Sequence, residues 1–521
     1  MRKSRIIAAA LFWGLTTLLF LDFTGTLHQW FGWLPRLQIV PAILAVNALG
    51  LLIMALVTII FGRLYCSVVC PLGIMQDIIS SLSARLKSRR NRFRYTPAKA
   101  WLRYGLLAIL IFSMLAGTSV MISLLDPYAA YGRIASNLLS PAFRQGNNLM
   151  AWLAENVGSY AFYSTEVVFS SALAIGISVL TFGLVGFLAW RSGRTYCNTI
   201  CPVGTVLGFV ARFSFFRPTF NAHKCMRCGR CERTCKSSCI DSGNRIVDHS
   251  RCVTCFNCLD QCKSGAITYA PRWFTPASTI KVITPSFGGS AVTHLERVGP
   301  DPAPVSHKAG LTRRGLLSML AFMALTSAAK VTRAQQLHVD GGLADLVDKK
   351  RPTRQTPLVP PGAKSLINLN RHCTACLLCV SACPQNILSP SVRLSTLMQP
   401  EMSYERGYCR PECTECSQVC PAGAIKKVSV AEKSAISIGR AVWLKDNCLP
   451  NKGETACTSC EHHCPTGAIT LVARDRNDGN SPKIPVIDNE LCIGCGACEY
   501  YCPARPFSAI YVEGHVRHHQ V

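Results

Sequence analysis

Four apolar stretches crowd the first 190 residues of this 521-residue chain, and behind them 24 of its 29 cysteines gather into six compact quartets. Together these predict a fold of two kinds. One is a membrane α-helical domain of four transmembrane helices; the other is a set of α+β ferredoxin-like domains that bind 4Fe–4S clusters in place of a large apolar core. The positions of the basic residues agree with this reading. The chain carries a formal net charge of +27, but Arg85, Lys87, Arg89, Arg90, Arg92 and Arg94 form a block between two apolar stretches. That placement follows the positive-inside rule and argues against a nucleic-acid partner.

The membrane domain is read over residues 1–190, with apolar stretches at about 5–21, 42–62, 101–124 and 166–190. Each approaches the ~20 residues that cross a bilayer. The first begins like a secretory signal, with Arg2, Lys3 and Arg5, but no small-residue cleavage site follows, so it is read as a retained anchor. The segment 63–101 carries eight Lys/Arg, whereas 22–41 carries only Arg36 and 125–165 only Arg133 and Arg144. The N-terminus, the 63–101 loop and the segment after 190 are therefore expected on the cytoplasmic side of a bacterial inner membrane.

Two near copies of one motif mark this domain as internally duplicated: Gly62-Arg63-Leu64-Tyr65-Cys66 with Cys70-Pro71-Leu72-Gly73, and Gly193-Arg194-Thr195-Tyr196-Cys197 with Cys201-Pro202-Val203-Gly204. Cysteines four apart on a helix share a face. Cys66, Cys70, Cys197 and Cys201 could hold one metal centre, form two redox-active dithiols, or simply close helix ends. His28 is the only histidine of the first 190 residues, which leaves no ligand pair for a b-type haem. Any oxidation of a quinol would then use clusters, a further membrane metal centre or a flavin. Asp22 and His28, near the outer boundary, are the candidate proton acceptors for it.

Residues 191–270 carry Cys225, Cys228, Cys231 and Cys235, then Cys252, Cys255, Cys258 and Cys262. This is the two-cluster ferredoxin spacing, in which the fourth cysteine of one run serves the cluster of the other. Lysines (Lys236, Lys263) stand where proline usually follows, and Cys239 is left over as a spare thiol; a zinc site is the rival for this spacing. Residues 271–310 are rich in Pro, Gly, Ser and Thr and read as a linker. Leu311-Thr312-Arg313-Arg314 and an apolar run to Ala329 then look like an internal twin-arginine export signal at 311–335, cut near Ala334 or kept as a fifth anchor over 315–330.

Residues 336–521 carry four more quartets. They are Cys373, Cys376, Cys379 and Cys383; Cys409, Cys413, Cys416 and Cys420; Cys448, Cys457, Cys460 and Cys464; and Cys492, Cys495, Cys498 and Cys502. The first gaps of the second and third runs are widened, which suggests that those two pair with each other and that the first and fourth pair around them. His515, His518 and His519 read as a solvated tail. Six 4Fe–4S clusters are expected, with folding coupled to their assembly. No catalytic triad or phosphate-binding loop is evident.

The first 270 residues resemble the NapH-type membrane polyferredoxins, on the strength of Cys66, Cys70, Cys197 and Cys201 followed by a two-cluster ferredoxin. Residues 311–521 resemble the NapG/MauM-type periplasmic ferredoxins, including the widened gaps. The two parts are usually separate chains and are joined here. The resemblance implies oxidation of membrane quinol and delivery of electrons to a periplasmic reductase (as in nitrate-reductase systems) or cytochrome c. The alternatives are an accessory factor supplying electrons for maturation of a periplasmic metalloenzyme, and a redox sensor.

Overall fold

The computed structural model describes residues 1–22, 24–86, 93–221, 223–272, 339–340, 344–345, 347–475, 477 and 481–521. Residues 1–279 and 350–521 form one compact unit and 280–349 a second. In the second, a short antiparallel pair joins Val339–Asp340 to Ala344–Asp345. Most of the expected linker, Arg313, Arg314, the apolar run to Ala329 and the cleavage point near Ala334 lie outside the described residues.

Seven helices frame the N-terminal half of the first unit. They are α1 (Arg2–Leu21), α2 (Ala48–Phe61), α3 (Pro71–Leu86), α4 (Ala100–Leu115), α5 (Pro127–Ile134), α6 (Ala172–Ser192) and α7 (Pro202–Ala211). Among the described residues two of these, α1 and α6, are long and apolar enough to cross a membrane; α2, α4 and α7 are shorter apolar helices. Of the four expected spans, two are thus present at full length and the other two are interrupted. The 42–62 stretch breaks at Val46, which takes a left-handed conformation (φ 53°), and restarts at Asn47, whose side chain accepts from the Gly50 N–H at 3.1 Å. The 101–124 stretch breaks at Gly117 (φ 72°), where the Ser113 hydroxyl bonds the Thr118 carbonyl at 2.8 Å. At 1.5 Å per residue, α2 and α4 reach only about 21 and 24 Å, short of a ~30 Å hydrocarbon layer. Hydropathy averages over a capping residue, so it reads each broken run as one helix. The outward faces still carry uncovered Leu49, Leu52, Leu56, Phe112, Leu115, Leu180 and Phe187.

Helix α5 is different, because all eight of its residues are buried. Asp126 caps it, accepting from the Tyr128 and Ala129 N–H groups at 3.3 and 3.1 Å. Pro127 supplies the pre-set first helical position.

The helices lie between two cysteine-rich domains. At one end Phe61 stacks on Phe216 (centroids 6.1 Å apart), Arg2 pairs with Asp260 at 2.9 Å, and the Arg194 N–H bonds the Lys236 carbonyl at 2.8 Å. At the other end Ser119 meets Gln399 at 2.5 Å, Ser136 meets Ser381 at 2.8 Å, and Ala174 packs in a small core with Ala375, Leu377 and Met398. Helices α1 and α6 each run from one domain to the other.

The first cysteine domain closes with β1 (Phe216–Phe220) antiparallel to β2 (Ile267–Pro271), Pro218 opposite Tyr269. The second uses three antiparallel pairs: β3 (Leu388–Pro390) with β4 (Pro400–Met402), β5 (Ile436–Trp443) with β8 (Ile510–Gln520), and β6 (Ile469–Ala473) with β7 (Lys483–Ile487). His515, His518 and His519 are part of β8; both ring nitrogens of His518 are buried, while His519 is exposed, as expected of a solvated end. A buried pair, Arg354 Nη2 to Glu499 at 2.5 and 2.8 Å, ties the lead-in segment to the last cysteine run.

Candidate functional sites: cysteine cavities, a histidine–aspartate pair and a buried tetrad

Four of the six cysteine runs turn the same way. Between their cysteines lie two positive-φ residues: Arg227 and Gly229, Thr254 and Phe256, Ala375 and Leu377, Gly494 and Gly496. Non-glycine residues rarely adopt this conformation, and Thr254 is β-branched. Strain repeated at equivalent places marks a loop shaped around something it encloses.

Cavities lined by cysteines from two runs lie at two of these loops, those of Cys252 and Cys492, and at the two remaining runs. Cys235 lines one with Cys252, Cys255 and Cys258. Cys383 lines another with Cys409, Cys413 and Cys416. Cys502 does so with Cys448, Cys457 and Cys460, and Cys464 with Cys492, Cys495 and Cys498. Cys420 lies within electrostatic reach of Cys373, Cys376 and Cys379, and Cys262 shares the small core of Cys225 and Cys231. In five of the six runs the fourth cysteine thus stands with the first three of its partner run. The expected pairing in the C-terminal domain is corrected: the first run pairs with the second and the third with the fourth. Neighbours along the chain close shorter loops, and that outweighs the resemblance between the two widened gaps.

These donor sets fit a cluster better than a single ion. No three His, Cys, Asp or Glu groups among the described residues stand close enough for one metal ion, while three of the cavities offer four thiols around open space and the fourth offers five, Cys239 included. Backbone N–H groups point at the sulfurs, Ala509 to Cys502 Sγ at 3.2 Å and Ile425 to Cys420 Sγ at 3.4 Å, as thiolate ligands require. Burial pushes the Cys376 and Cys495 thiols up to about 12 and Cys409 to about 11. Without metal these groups are neutral; a bound cation displaces their protons. Cys239, left over in the sequence, sits 3.5 Å from Cys235 Sγ, and its thiol hydrogen bond lowers Cys235 from the ordinary thiol range. The two modules of the C-terminal domain touch directly, the Cys409 N–H bonding the Cys495 carbonyl at 2.9 Å.

Asp22 and His28 come together as the sequence expects. His28 Nδ1 lies 3.2 Å from Asp22 Oδ2, both side chains buried. Asp22 also accepts from Thr24 Oγ1 at 2.8 Å and from the Gly25 and Leu27 N–H groups. Burial acts to raise its carboxyl, but the Thr24 and His28 hydrogen bonds outweigh it and the net shift is downward. His28 Nε2 is buried with no hydrogen-bond partner. A side chain at Gly25 would begin 3.9 Å from Glu415 Oε2, and Glu415 lies between Cys413 and Cys416.

The duplicated motifs also converge. Cys66, Cys70, Cys197 and Cys201 are each no more than 4% exposed and belong to one buried core. The halves are cross-braced: Arg63 Nη2 donates to the Cys197 carbonyl at 3.2 Å, and Arg194 Nη1 to the Cys66 carbonyl. Gly73 and Gly204 leave room for this, since a Cβ on either would meet the opposing arginine at 3.0 or 2.7 Å. Gln76 Nε2 lies 3.2 Å from Cys197 Sγ. Asp77 takes Arg194 at 2.9 Å, Arg5 at 3.4 Å and Lys236 at 3.7 Å. Gln76 and Asp77 carry no signal in the sequence, because their role exists only once the two halves meet.

The chain is 34% identical over 161 residues to the methylamine utilization ferredoxin-type protein MauM of Methylophilus methylotrophus, across 29% of this chain and 69% of that protein. It belongs to the ferredoxin-type 4Fe–4S proteins. A second relative is the methylamine utilization ferredoxin-type protein MauN of Paracoccus denitrificans, 29% identical over 37% of this chain and 54% of that one. The ferredoxin-type protein NapF of Escherichia coli K12 is 29% identical over 30% of this chain and 86% of its own length. The chain spans about half the length of MauN and of the putative electron transport protein YccM of Escherichia coli. A 4Fe–4S binding domain model matches residues 44–90 and 173–221, and a 4Fe–4S dicluster domain model matches 372–424 and 455–505. No solved structure matches. As a ferredoxin-type protein, this chain is an iron–sulfur electron carrier.

Proposed function

We propose that this ferredoxin-type protein oxidises a membrane quinol at Asp22 and His28 and passes the electrons through its C-terminal ferredoxin to an external acceptor, a periplasmic reductase or cytochrome c. The observation that carries the reading is the unpartnered, buried Nε2 of His28, held by Asp22 beside the Cys413–Cys416 loop. His28 Nε2 takes a proton from the quinol hydroxyl, and Asp22 stabilises the imidazolium that results. Quinol oxidation releases two protons and two electrons, and 4Fe–4S clusters, each a one-electron carrier, take the electrons singly. Site and acceptor clusters lie at the same end of the helices, so this flow needs no crossing of the bundle.

On this reading the six quartets hold six clusters. The two long and three shorter apolar helices lie in a bacterial cytoplasmic membrane, with residues 216–271 on the cytoplasmic side and 350–521 in the periplasm, carried there by the Arg313-Arg314 signal. The test is anaerobic reduction of the purified protein by a short-chain quinol, followed by cluster bleaching. His28→Ala and Asp22→Asn are expected to slow it at least ~100-fold, the loss of a general base. Unchanged rates in both variants sink the quinol site while leaving the carrier role standing.

A further inference from the structure

The segments matched as 4Fe–4S binding domain, 44–90 and 173–221, contain two cysteines each, Cys66 with Cys70 and Cys197 with Cys201. A cluster of the ferredoxin kind needs four thiolates, so neither segment suffices alone. We propose that Cys66, Cys70, Cys197 and Cys201 together ligate one iron–sulfur cluster, a centre additional to the six quartets, and that it carries electrons between the two ferredoxin domains. The proposal does not depend on the quinol site.

Charge is the strongest argument. Arg63 is completely buried, and among the described residues no carboxylate pairs with it. Its guanidinium reaches Asn198 Oδ1 at 2.9 Å, the Ser250 carbonyl at 3.1 Å and Cys66 Sγ at 3.8 Å, and its Nε has no hydrogen-bond partner. Around the single carboxylate of Asp77 stand three further cations, Arg5, Arg194 and Lys236. Arg63 and Arg194 reach the tetrad itself, and of these two only Arg194 has a carboxylate partner, Asp77. Buried charge of one sign is costly unless an anion sits with it. Four thiolates around a ferric–sulfide core carry about two negative charges, and about three after one-electron reduction. Four neutral thiols or two disulfides would leave the surplus uncompensated. The sulfurs also receive hydrogen bonds suited to thiolate ligands, from Gln76 Nε2 to Cys197 at 3.2 Å and from the Gly204 N–H to Cys201 at 3.3 Å.

Position gives the role. On one side Arg63 bonds the Ser250 carbonyl, two residues before Cys252, and Asn198 Nδ2 bonds the Ser237 carbonyl at 3.1 Å, two residues after Cys235. On the other side lies the buried helix α5. Arg133, on that helix, is within electrostatic reach of Tyr196 and of Cys376; Tyr128 is within reach of Cys376 and Cys420; and Gly132 packs against the Cys376 backbone. The tetrad therefore stands between the Cys235/Cys252/Cys255/Cys258 cavity and the Cys373/Cys376/Cys379/Cys420 set. In the step proposed, a ferrous iron of a reduced ferredoxin cluster becomes ferric as a ferric iron at the tetrad becomes ferrous. No bond breaks and no proton has to move.

The test uses the full chain, purified anaerobically in detergent, with iron and acid-labile sulfide counts and redox-titrated EPR. Cys70→Ser/Cys201→Ser is expected to lose ~2–4 iron atoms per chain and one EPR-active centre, the others remaining. In the wild type that centre's signal is expected to show magnetic coupling to neighbouring clusters. Gln76→Leu removes a hydrogen bond to a ligand sulfur and is expected to move the midpoint of that one centre to more negative potential, an effect a packing role alone would not produce. This variant carries the test if the double serine variant does not fold. An unchanged iron count in the double variant, unmoved midpoints in Gln76→Leu, or recovery of Cys66–Cys70 or Cys197–Cys201 disulfide peptides from wild type overturns the cluster. A magnetically isolated signal overturns its bridging role.

Discussion

Gly132 is where the C-terminal ferredoxin sits closest on the helices, and a single methyl group there tests the docking. A Cβ on Gly132 would lie 2.2 Å from the Cys376 carbonyl oxygen, 3.1 Å from its carbon and 3.0 Å from Phe20 Cζ. To reach an ordinary contact of about 3.4 Å, helix α5 and the Cys376 loop must separate by about 1.2 Å. Both are backbone, and no flexible side chain can move aside. Overpacking of this kind costs about 1–3 kcal/mol, and in Gly132→Ala it falls on the contact between domains and not on either domain's interior. The assay is thermal unfolding of the purified holoprotein together with limited proteolysis. The variant is expected to melt several degrees lower and to release a cluster-bearing C-terminal fragment sooner. Gly146→Ala, where nothing lies within 4 Å of the new methyl, is the control and should be neutral or slightly stabilising. If Gly132→Ala melts and resists protease as the wild type does, the close seating of Cys376 on α5 is wrong.

Other consequences can be checked in the same preparation. Cys420→Ser should abolish the cluster of Cys373, Cys376 and Cys379 and spare the one held by Cys409, Cys413 and Cys416, as seen by EPR with an iron loss of ~4 per chain; loss of the second run's own cluster would refute the exchange of fourth cysteines. Glu499→Ala strands Arg354 in the interior and should destabilise the C-terminal domain by about 3–5 kcal/mol, measured by denaturant unfolding. Because burial raises thiols such as Cys376, Cys409 and Cys495, protons compete strongly with iron. Reconstitution should release about four protons per cluster and weaken as pH falls, read by pH-stat titration. In cluster-free protein the sign reverses. Folding there favours the neutral thiols, so any residual stability is present below the ordinary thiol range and is lost as pH rises toward 11–12.

Spacing along the chain was enough to find the chemistry but not its wiring. The quartets announce themselves because cluster ligation needs cysteines at short fixed intervals, and that is a local property. Which quartet shares with which is a tertiary property, and the similar widened gaps before Cys413 and Cys457 pointed to the wrong partner. Helix continuity failed for a related reason. Val46-Asn47 and Gly117-Thr118 interrupt two apolar runs through a left-handed turn and a side-chain cap, neither of which alters mean hydropathy. The duplicated arginine–tyrosine–cysteine motif pointed to the four cysteines of the tetrad, yet its surroundings, Gln76, Asp77, Asp126 and Arg133, look like ordinary polar residues until the halves pack. Asp22 and His28, six residues apart, were close enough in sequence to be suspected together.

Iron and acid-labile sulfide counting on anaerobically purified protein is the most direct measurement of all. Six filled quartets give ~24 iron atoms per chain, with the tetrad adding to that number. A colourless, iron-free chain whose cysteines are recovered as disulfides or bound to zinc would contradict the account at its root.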